Sequence, residues 1–170
     1  MSEPNKSNPS VSQLICFKLG QEEFGVDILK VKEIVPVQTI AQLPQTSDTV
    51  SGIINLRGDL VPVINLRVKF GLEEIPRDDK TRIIVFFVSG KLIGMMVDRV
   101  ERVLRLKDNP IEPVPDIGVG KIQEYVIGLT KVERSLIIQI NIDKILTDEE
   151  IVRLEDIVKM KEAYETRAVA

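Results

Sequence analysis

The stretch LICFKLGQEEFGVDILKVKEI (residues 14–34) decides how this chain folds, because a related stretch occurs 69 residues further along. The second copy is IIVFFVSGKLIGMMVDRVERV (83–103), in which the apolar positions coincide and Val100 falls over Val31. Self-similarity of this kind indicates a structural unit that occurs twice. Chance resemblance between two hairpins rich in Val and Ile is the alternative.

A second pair of segments supports the repeat. GIINLRGDLVPVINL (52–66) lies over GLTKVERSLIIQINI (128–142) at a separation of 76 residues, which aligns Gly52 with Gly128. The seven extra residues fall in the Pro-rich stretch 109–121, and surface loops tolerate such insertions. The sequence therefore predicts two related units.

Short runs rich in Val and Ile alternate with turn residues throughout the body of the chain, and this pattern is typical of antiparallel strands. The predicted strands are 14–19, 23–28, 50–56, 60–65, 82–88, 92–97, 126–132 and 136–142. Predicted hairpin turns lie at 20–21, 57–59, 89–90 and 133–135. Two units of about five short strands close most readily into small SH3-like or OB-like barrels, because closure removes exposed strand edges. Two such barrels packed together would bury a joint core, so the expected fold class is mostly β.

The two ends of the chain differ from this body. Residues 1–12 are mostly polar and predict a flexible tail, followed by the barrels over 13–147. An amphipathic helix is predicted over 148–165, packed on the barrels, with a short tail at 166–170. Its apolar positions have helical spacing: Ile151, Leu154, Ile157 and Val158. Thr147 and Glu150 fit a capping box at its start.

Composition excludes several classes of function. The chain has no histidine, which removes the usual general base and the commonest metal ligand. Its net charge of −3 and its seven Phe and Tyr residues argue against a nucleic-acid surface. The paired carboxylates at Asp78–Asp79 and 148–150 lie in polar contexts typical of solvated charge. We therefore expect no catalytic residues, no metal and no cofactor. A nucleic-acid-binding small barrel and an unrecognised enzyme using carboxylates or Arg57 remain the rival hypotheses.

The lengths of the apolar runs bear on whether the protein enters a membrane. The longest runs, such as 83–88, are far shorter than the roughly 18 residues that cross a bilayer, and the first ten residues lack an apolar signal stretch. We expect a cytoplasmic protein without direct membrane insertion. The single cysteine, Cys16, lies in an apolar run and is predicted to be a small buried hydrophobe.

Four segments in order resemble the CheW family of chemotaxis adaptors. They are FGVDILKVKEI (24–34), the Leu-Pro of AQLPQT (41–46) ahead of the helix-like SDTVSG (47–52), GIINLRGDLVPVINLR (52–67) and IGMMVDRVERVL (93–104). The resemblance implies two intertwined five-stranded SH3-like β-barrels and no catalysis. It also implies a scaffold between the cytoplasmic tip of chemoreceptors and the regulatory domain of the CheA histidine kinase, beneath receptor arrays. A coupling role in a related pathway, such as pilus motility, stays open.

The same resemblance assigns receptor binding to five positions. Val31 would supply apolar burial and Glu33 a charge at the rim of the interface. Gly52 and Gly128 match glycines where a side chain would block close approach, and Val100 matches a valine near the same groove. The alternative is that the valines are core residues and the glycines mark β-bulges.

Two further positions are assigned to the kinase by the resemblance. Arg57, at a predicted hairpin tip, presents five donors in a rigid fork, and Ile40 is a neighbouring apolar contact. A solvated turn arginine is the alternative for Arg57.

Overall fold

The computed structural model describes residues 11–38, 40–41, 49–114 and 124–169. The strands are β1 (Gln13–Leu19), β2 (Glu22–Asp27), β3 (Val31–Pro36), β4 (Val50–Leu56), β5 (Asp59–Asn65), β6 (Arg82–Val88), β7 (Lys91–Val97), β8 (Arg99–Arg105), β9 (Val126–Val132) and β10 (Ser135–Ile140). The α-helices are α1 (Leu66–Lys69) and α2 (Asp148–Val169). Short 3-10 helices include Ile28–Lys30, Leu106–Asp108 and Ile142–Lys144.

All eight predicted strands and all four hairpin turns are confirmed to within two residues. Strands β3 and β8 were not predicted as strands, because their charged residues interrupt the apolar pattern and leave half of each strand exposed. The helix-like interpretation of 47–52 was wrong where it can be checked, since 50–52 begin β4. Residues 42–48, with the predicted Leu-Pro, lie outside the described residues.

The strands form two five-stranded sheets. The first, called barrel A, has the order β8-β1-β2-β10-β9, and the second, called barrel B, has the order β3-β6-β7-β5-β4. Each sheet curls back on itself. In barrel B the chain beyond β3 returns to β4, where Ala41 and Ile53 exchange backbone hydrogen bonds of 2.8 and 2.9 Å. In barrel A, Glu112 and Leu129 exchange the equivalent backbone hydrogen bonds, of 2.7 and 2.8 Å.

The internal repeat is confirmed, and the two units exchange hairpins. Unit one supplies β1–β5 and unit two supplies β6–β10, but β1 and β2 lie in barrel A whereas β6 and β7 lie in barrel B. Replacing each strand by its counterpart converts one sheet order into the other. The joins between units are parallel: Gly25 of β2 faces Gln139 of β10, and Gly94 of β7 faces Val63 of β5. The two barrels are therefore intertwined.

Three apolar clusters form the interior. The largest contains residues of both barrels, such as Phe17, Phe24 and Phe86, so the expected joint core is present. Barrel B encloses a second cluster: Val35, Ile54, Leu56, Val61, Val63, Ile83, Val85 and Met96. Barrel A encloses a smaller one: Leu14, Cys16, Leu104 and Ile137. Cys16 has no exposed surface, which confirms the prediction of a buried hydrophobe.

Helix α2 begins with the predicted capping box. Glu150 Oε1 accepts from Thr147 N at 2.9 Å, and Glu150 N donates to Thr147 Oγ1 at 3.1 Å. Ile151, Leu154 and Ile157 are buried in the joint core, as the helical spacing predicted. The helix extends to Val169 and so includes 166–169, which were expected to be a tail. In the part of the chain that the structure describes, no helix is long and apolar enough to cross a membrane.

Candidate partner-binding surfaces

Arg57 occupies the tip of the β4–β5 hairpin, as predicted. Its φ is +52°, and Gly58 N donates to Asn55 Oδ1 at 2.8 Å, which fixes the turn. The Arg57 side chain is 69% exposed and forms an ion pair with Glu33 of β3. The arginine is therefore held by a specific partner while most of its side chain faces solvent.

This ion pair joins two residues that the resemblance assigned to different partners. Glu33 was predicted to contact a receptor and Arg57 a kinase, yet their side chains touch at one end of barrel B. The pairing follows from barrel closure, because β3 and β4 are the outer strands of the sheet and meet when it curls. The two predicted surfaces are thus adjacent.

Val31 and Val100 hold equivalent positions in the two barrels. Val31 faces Phe86 of β6, Val100 faces Phe17 of β1, and both are partly buried against the joint core. This packing gives each valine a structural reason to be apolar. Their role in receptor binding stays a prediction.

The two predicted glycines lie where each barrel closes, and both are buried. A Cβ on Gly52 would clash with the carbonyl oxygen of Ala41 and lie 2.6 Å from Ile40 Cγ2, and the φ of Gly52 is +143°. A Cβ on Gly128 would lie 2.7 Å from the carbonyl oxygen of Glu112. Close backbone approach therefore explains both glycines. Ile40 and Gly52 are in contact, although the resemblance assigned them to different partners.

Exposed apolar side chains around β3 were missed by sequence reasoning. Leu29 is 68% exposed, Phe87 is 44% exposed and Ile34 is 36% exposed. Leu29 lies in the 3-10 turn before β3, and Phe87 lies on β6, the strand that pairs with β3. Lys32 of β3 places its Nζ 5.7 Å from the centre of the Phe87 ring. Phe87 lies in the apolar run 83–88, which predicts a buried strand. The sequence therefore did not indicate that its side chain would face outward.

Among the described residues the most buried carboxylate, that of Glu23, takes part in an ion pair. Glu23 is 4% exposed and receives two hydrogen bonds from Arg102, from Nε at 3.0 Å and from Nη2 at 2.8 Å. The hydrogen bond to Glu23 raises the pKa of Arg102, and burial raises the pKa of Cys16 to about 12. A saturated ion pair and a protonated thiol offer neither a proton acceptor nor a nucleophile near neutral pH. Among the described residues no group of acidic or cysteine side chains is placed to hold a metal ion.

Comparison with known proteins agrees with the two-barrel architecture. The sequence profile of the CheW-like domain matches residues 13–150. The chain is 37% identical over 147 residues to a chemotaxis protein CheW of Klebsiella aerogenes, covering 86% of this chain and 89% of that protein. It is 31% identical over 158 residues to a chemotaxis protein CheW of Treponema pallidum, covering 91% and 93%. The crystal structure of the scaffolding protein TtCheW from Thermoanaerobacter tengcongensis superposes with a TM-score of 0.73 at 34% identity, covering 82% of this chain and 96% of that one.

Proposed function

Because the chain belongs to the CheW family of chemotaxis proteins, we propose that it couples chemoreceptors to the CheA histidine kinase as a non-catalytic scaffold. The observation that carries this proposal is the Glu33–Arg57 ion pair at the end of barrel B. It places a fixed, largely exposed arginine side chain next to β3, on which Ile34 is an exposed apolar residue. Such a surface suits recognition of proteins, and the buried Glu23 carboxylate is already paired with Arg102.

The kinase-facing contact is the tip of the β4–β5 hairpin. Arg57 uses one Nη2 donor for Glu33, and its other donors have no partner among the described residues, so they can reach carboxylates or carbonyls of a partner protein. Ile40, packed against the interior of barrel B, supplies the apolar part of this contact. The partner is the regulatory domain of CheA, docked through a barrel of the same kind.

The receptor-facing contact lies along β3 and the 3-10 turn that precedes it. Leu29 and Ile34 are exposed apolar side chains, Val31 anchors the strand in the joint core, and Glu33 adds a charge at the rim. An amphipathic helix packs its apolar face against such a surface. Micromolar affinity, worth about 8 kcal/mol, is sufficient for each contact, because many contacts in a receptor array act together.

The proposal is tested by titration calorimetry with two purified partners, a receptor tip fragment and the CheA regulatory domain. We expect Arg57→Ala to weaken kinase binding at least tenfold and Val31→Asp to weaken receptor binding at least tenfold. Arg134→Ala, which removes an exposed arginine from the β9–β10 turn, is the matched control for Arg57→Ala. Val152→Asp on the exposed side of α2 is the control for Val31→Asp. Unchanged binding by both Arg57→Ala and Val31→Asp would defeat the assignment.

A further inference from the structure

The row of side chains that β6 points into barrel B ends in an exposed aromatic ring. Ile83 and Val85 belong to the apolar cluster inside barrel B. Because side chains alternate along a strand, Phe87 continues this row to the end of the barrel. Phe87 is 44% exposed there, and its neighbour on β7, Leu92, is partly buried against the same cluster. A large aromatic side chain therefore lies at the open end of barrel B, in contact with solvent.

The internal repeat provides a comparison for this ring. Phe87 corresponds, 69 residues earlier, to Lys18 of barrel A. Its neighbour Leu92 corresponds in the same way to Glu23, and the cross-strand pairing is the same in both barrels. Glu23 is in turn paired with Arg102. The architecture thus accepts a charged residue where barrel B has the ring, so folding of a barrel does not require an aromatic residue at this position.

Phe87 and Arg57 lie at the same end of barrel B. Strands β5 and β7 run parallel, which brings the β4–β5 turn and the β6–β7 turn to one end of the sheet. A cavity of about 370 Å³ beside this end shows their proximity, because Gly58 of the first turn and Leu92 of β7 both line it. The ring is therefore close to the hairpin tip that faces the kinase in the proposed function.

The face of the sheet separates this ring from part of the receptor-facing contact. Val31 is in register with Phe86, and Ile34 is in register with Ile84. Phe86 and Ile84 point into the joint core, and residues in register share a face of the sheet. Phe87 points to the opposite face. A receptor helix on Val31 and Ile34 would therefore leave the ring available for another partner.

Charged side chains surround the ring. Lys32 places its Nζ 5.7 Å from the centre of the Phe87 ring, and the next residue, Glu33, forms the ion pair with Arg57. An apolar anchor enclosed by polar groups is typical of the residues that dominate protein interfaces, because the surrounding groups exclude water from the centre. At the equivalent end of barrel A, Lys18 presents an ammonium group, and covering it would remove its hydration.

We propose that Phe87 is the specificity-determining residue of the kinase-facing contact and directs the kinase to barrel B. This inference rests on the proposed coupling function and adds an apolar anchor beside Arg57. An apolar patch of the CheA regulatory domain covers the ring. The same patch is rejected at the equivalent end of barrel A, because it would desolvate Lys18 and the Glu23–Arg102 pair without replacing their partners.

The test is titration calorimetry of the full chain with the CheA regulatory domain and, separately, with the receptor tip fragment. Phe87→Lys copies the residue of barrel A. We expect it to weaken kinase binding at least tenfold while receptor affinity stays within twofold of the parent. Phe87→Gln, which adds no charge, is expected to weaken kinase binding as strongly, whereas Phe87→Leu is expected to lose less than threefold. Leu136→Lys, at a residue of β10 that is 46% exposed, is the control and should change neither affinity.

The thermal transition of Phe87→Lys should match that of the parent, because the equivalent position of barrel A already holds a lysine. Equal kinase affinity of Phe87→Lys and the parent would overturn the inference, and if Arg57→Ala still weakened kinase binding, the coupling function would stand without it. Weakened receptor binding with unchanged kinase binding, or equal weakening of both, would overturn the assignment of the ring to the kinase. A parent protein that binds neither partner would defeat the coupling function itself.

Discussion

Cys16 and Val85 occupy equivalent positions, 69 residues apart, inside the two barrels. Burial raises the pKa of the Cys16 thiol to about 12 from an ordinary value of 9.0, and the nearby Glu23 carboxylate adds to this shift. The thiol therefore stays neutral up to a higher pH in the folded state than in the unfolded chain, where it ionises near its ordinary pKa. The contribution of the thiol to stability is complete below about pH 9 and is lost as the pH rises toward 12.

We expect the stability of the parent to fall relative to Cys16→Val between pH 9 and pH 12. Urea denaturation of both proteins across this range measures the difference, and the shared contributions of all other titrating groups cancel. A difference that does not change with pH in this window would contradict the buried environment of Cys16. Below pH 9 the thiol is neutral in both the folded and the unfolded state. The difference in stability between the two proteins then reports only the change in packing.

Gly52 is the position where backbone conformation and packing act together. A substitution there must adopt a φ of +143° and place a Cβ against the Ala41 carbonyl oxygen. Gly58, at the tip of the same hairpin, has a φ of +93° but no atom within 4 Å of a Cβ. Gly58→Ala therefore isolates the backbone strain. We expect Gly52→Ala to be less stable than Gly58→Ala by about 1–3 kcal/mol, the usual effect of overpacking.

Urea midpoints of the two alanine variants measure this difference. Equal loss of stability in both would show that close approach to Ala41 does not constrain Gly52. In that case the glycine would be explained by partner binding, as the family resemblance suggests.

Among the elements, helix α2 depends on Glu150 at its first turn. This carboxylate accepts from Lys69 Nζ at 2.7 Å and from Thr147 N at 2.9 Å, and so links α2 to α1 and to its own cap. Burial tends to raise the pKa of Glu150, but these hydrogen bonds outweigh burial and lower it below the ordinary value of 4.5. The stabilisation is therefore present above pH 4.5 and is lost as the pH falls through the folded pKa.

We expect Glu150→Gln to be less stable than the parent at pH 7. This difference in stability, the gap, should narrow as the pH is lowered from 4.5 toward 3. Thermal unfolding followed by circular dichroism at a series of pH values measures the gap. Glu149→Gln, an exposed neighbour, is the control and should show a smaller gap at every pH. A gap that stays constant down to pH 3 would contradict a lowered pKa.

Element prediction from sequence succeeded where local pattern decides structure. The turns at 20–21 and 89–90 and the capping box of Thr147 are set by residues within four positions of one another. Strands β3 and β8 were not predicted because Glu33 and Arg102 interrupt their apolar alternation. Each of these charged residues forms an ion pair with a residue that is distant in the sequence. The ion pair of Arg57 with Glu33 spans 24 residues and depends on barrel closure, which no local pattern encodes.

At the scale of the whole molecule, hairpin exchange makes each unit dependent on the other. Strands β3–β5 of unit one close only around β6 and β7 of unit two, and β1 and β2 close only with β8–β10. The repeat itself could be predicted from sequence, whereas which hairpin joins which barrel is a long-range pairing. The family resemblance supplied that part of the expectation.

We expect fragments 1–75 and 76–170, divided within the exposed loop 71–80, to be unfolded when separate and to regain native circular dichroism when mixed. The physical reason is that each fragment alone lacks two or three strands of both barrels. Size-exclusion chromatography of the mixture should show a one-to-one complex. Cooperative unfolding of either fragment alone would contradict this interdependence.

The two parallel joins between β2 and β10 and between β7 and β5 also bear on ancestry. A single unit that kept this hairpin exchange would complete both barrels as an entwined homodimer, with each copy lending its first hairpin to the other. After fusion of two such genes, the two units of the chain can change in sequence independently of each other. One half could then keep an apolar interior with Ile54 and Val63, while the other acquired the buried Thr130 and Gln139 at the equivalent positions, a divergence that a symmetric pair of identical chains could not sustain.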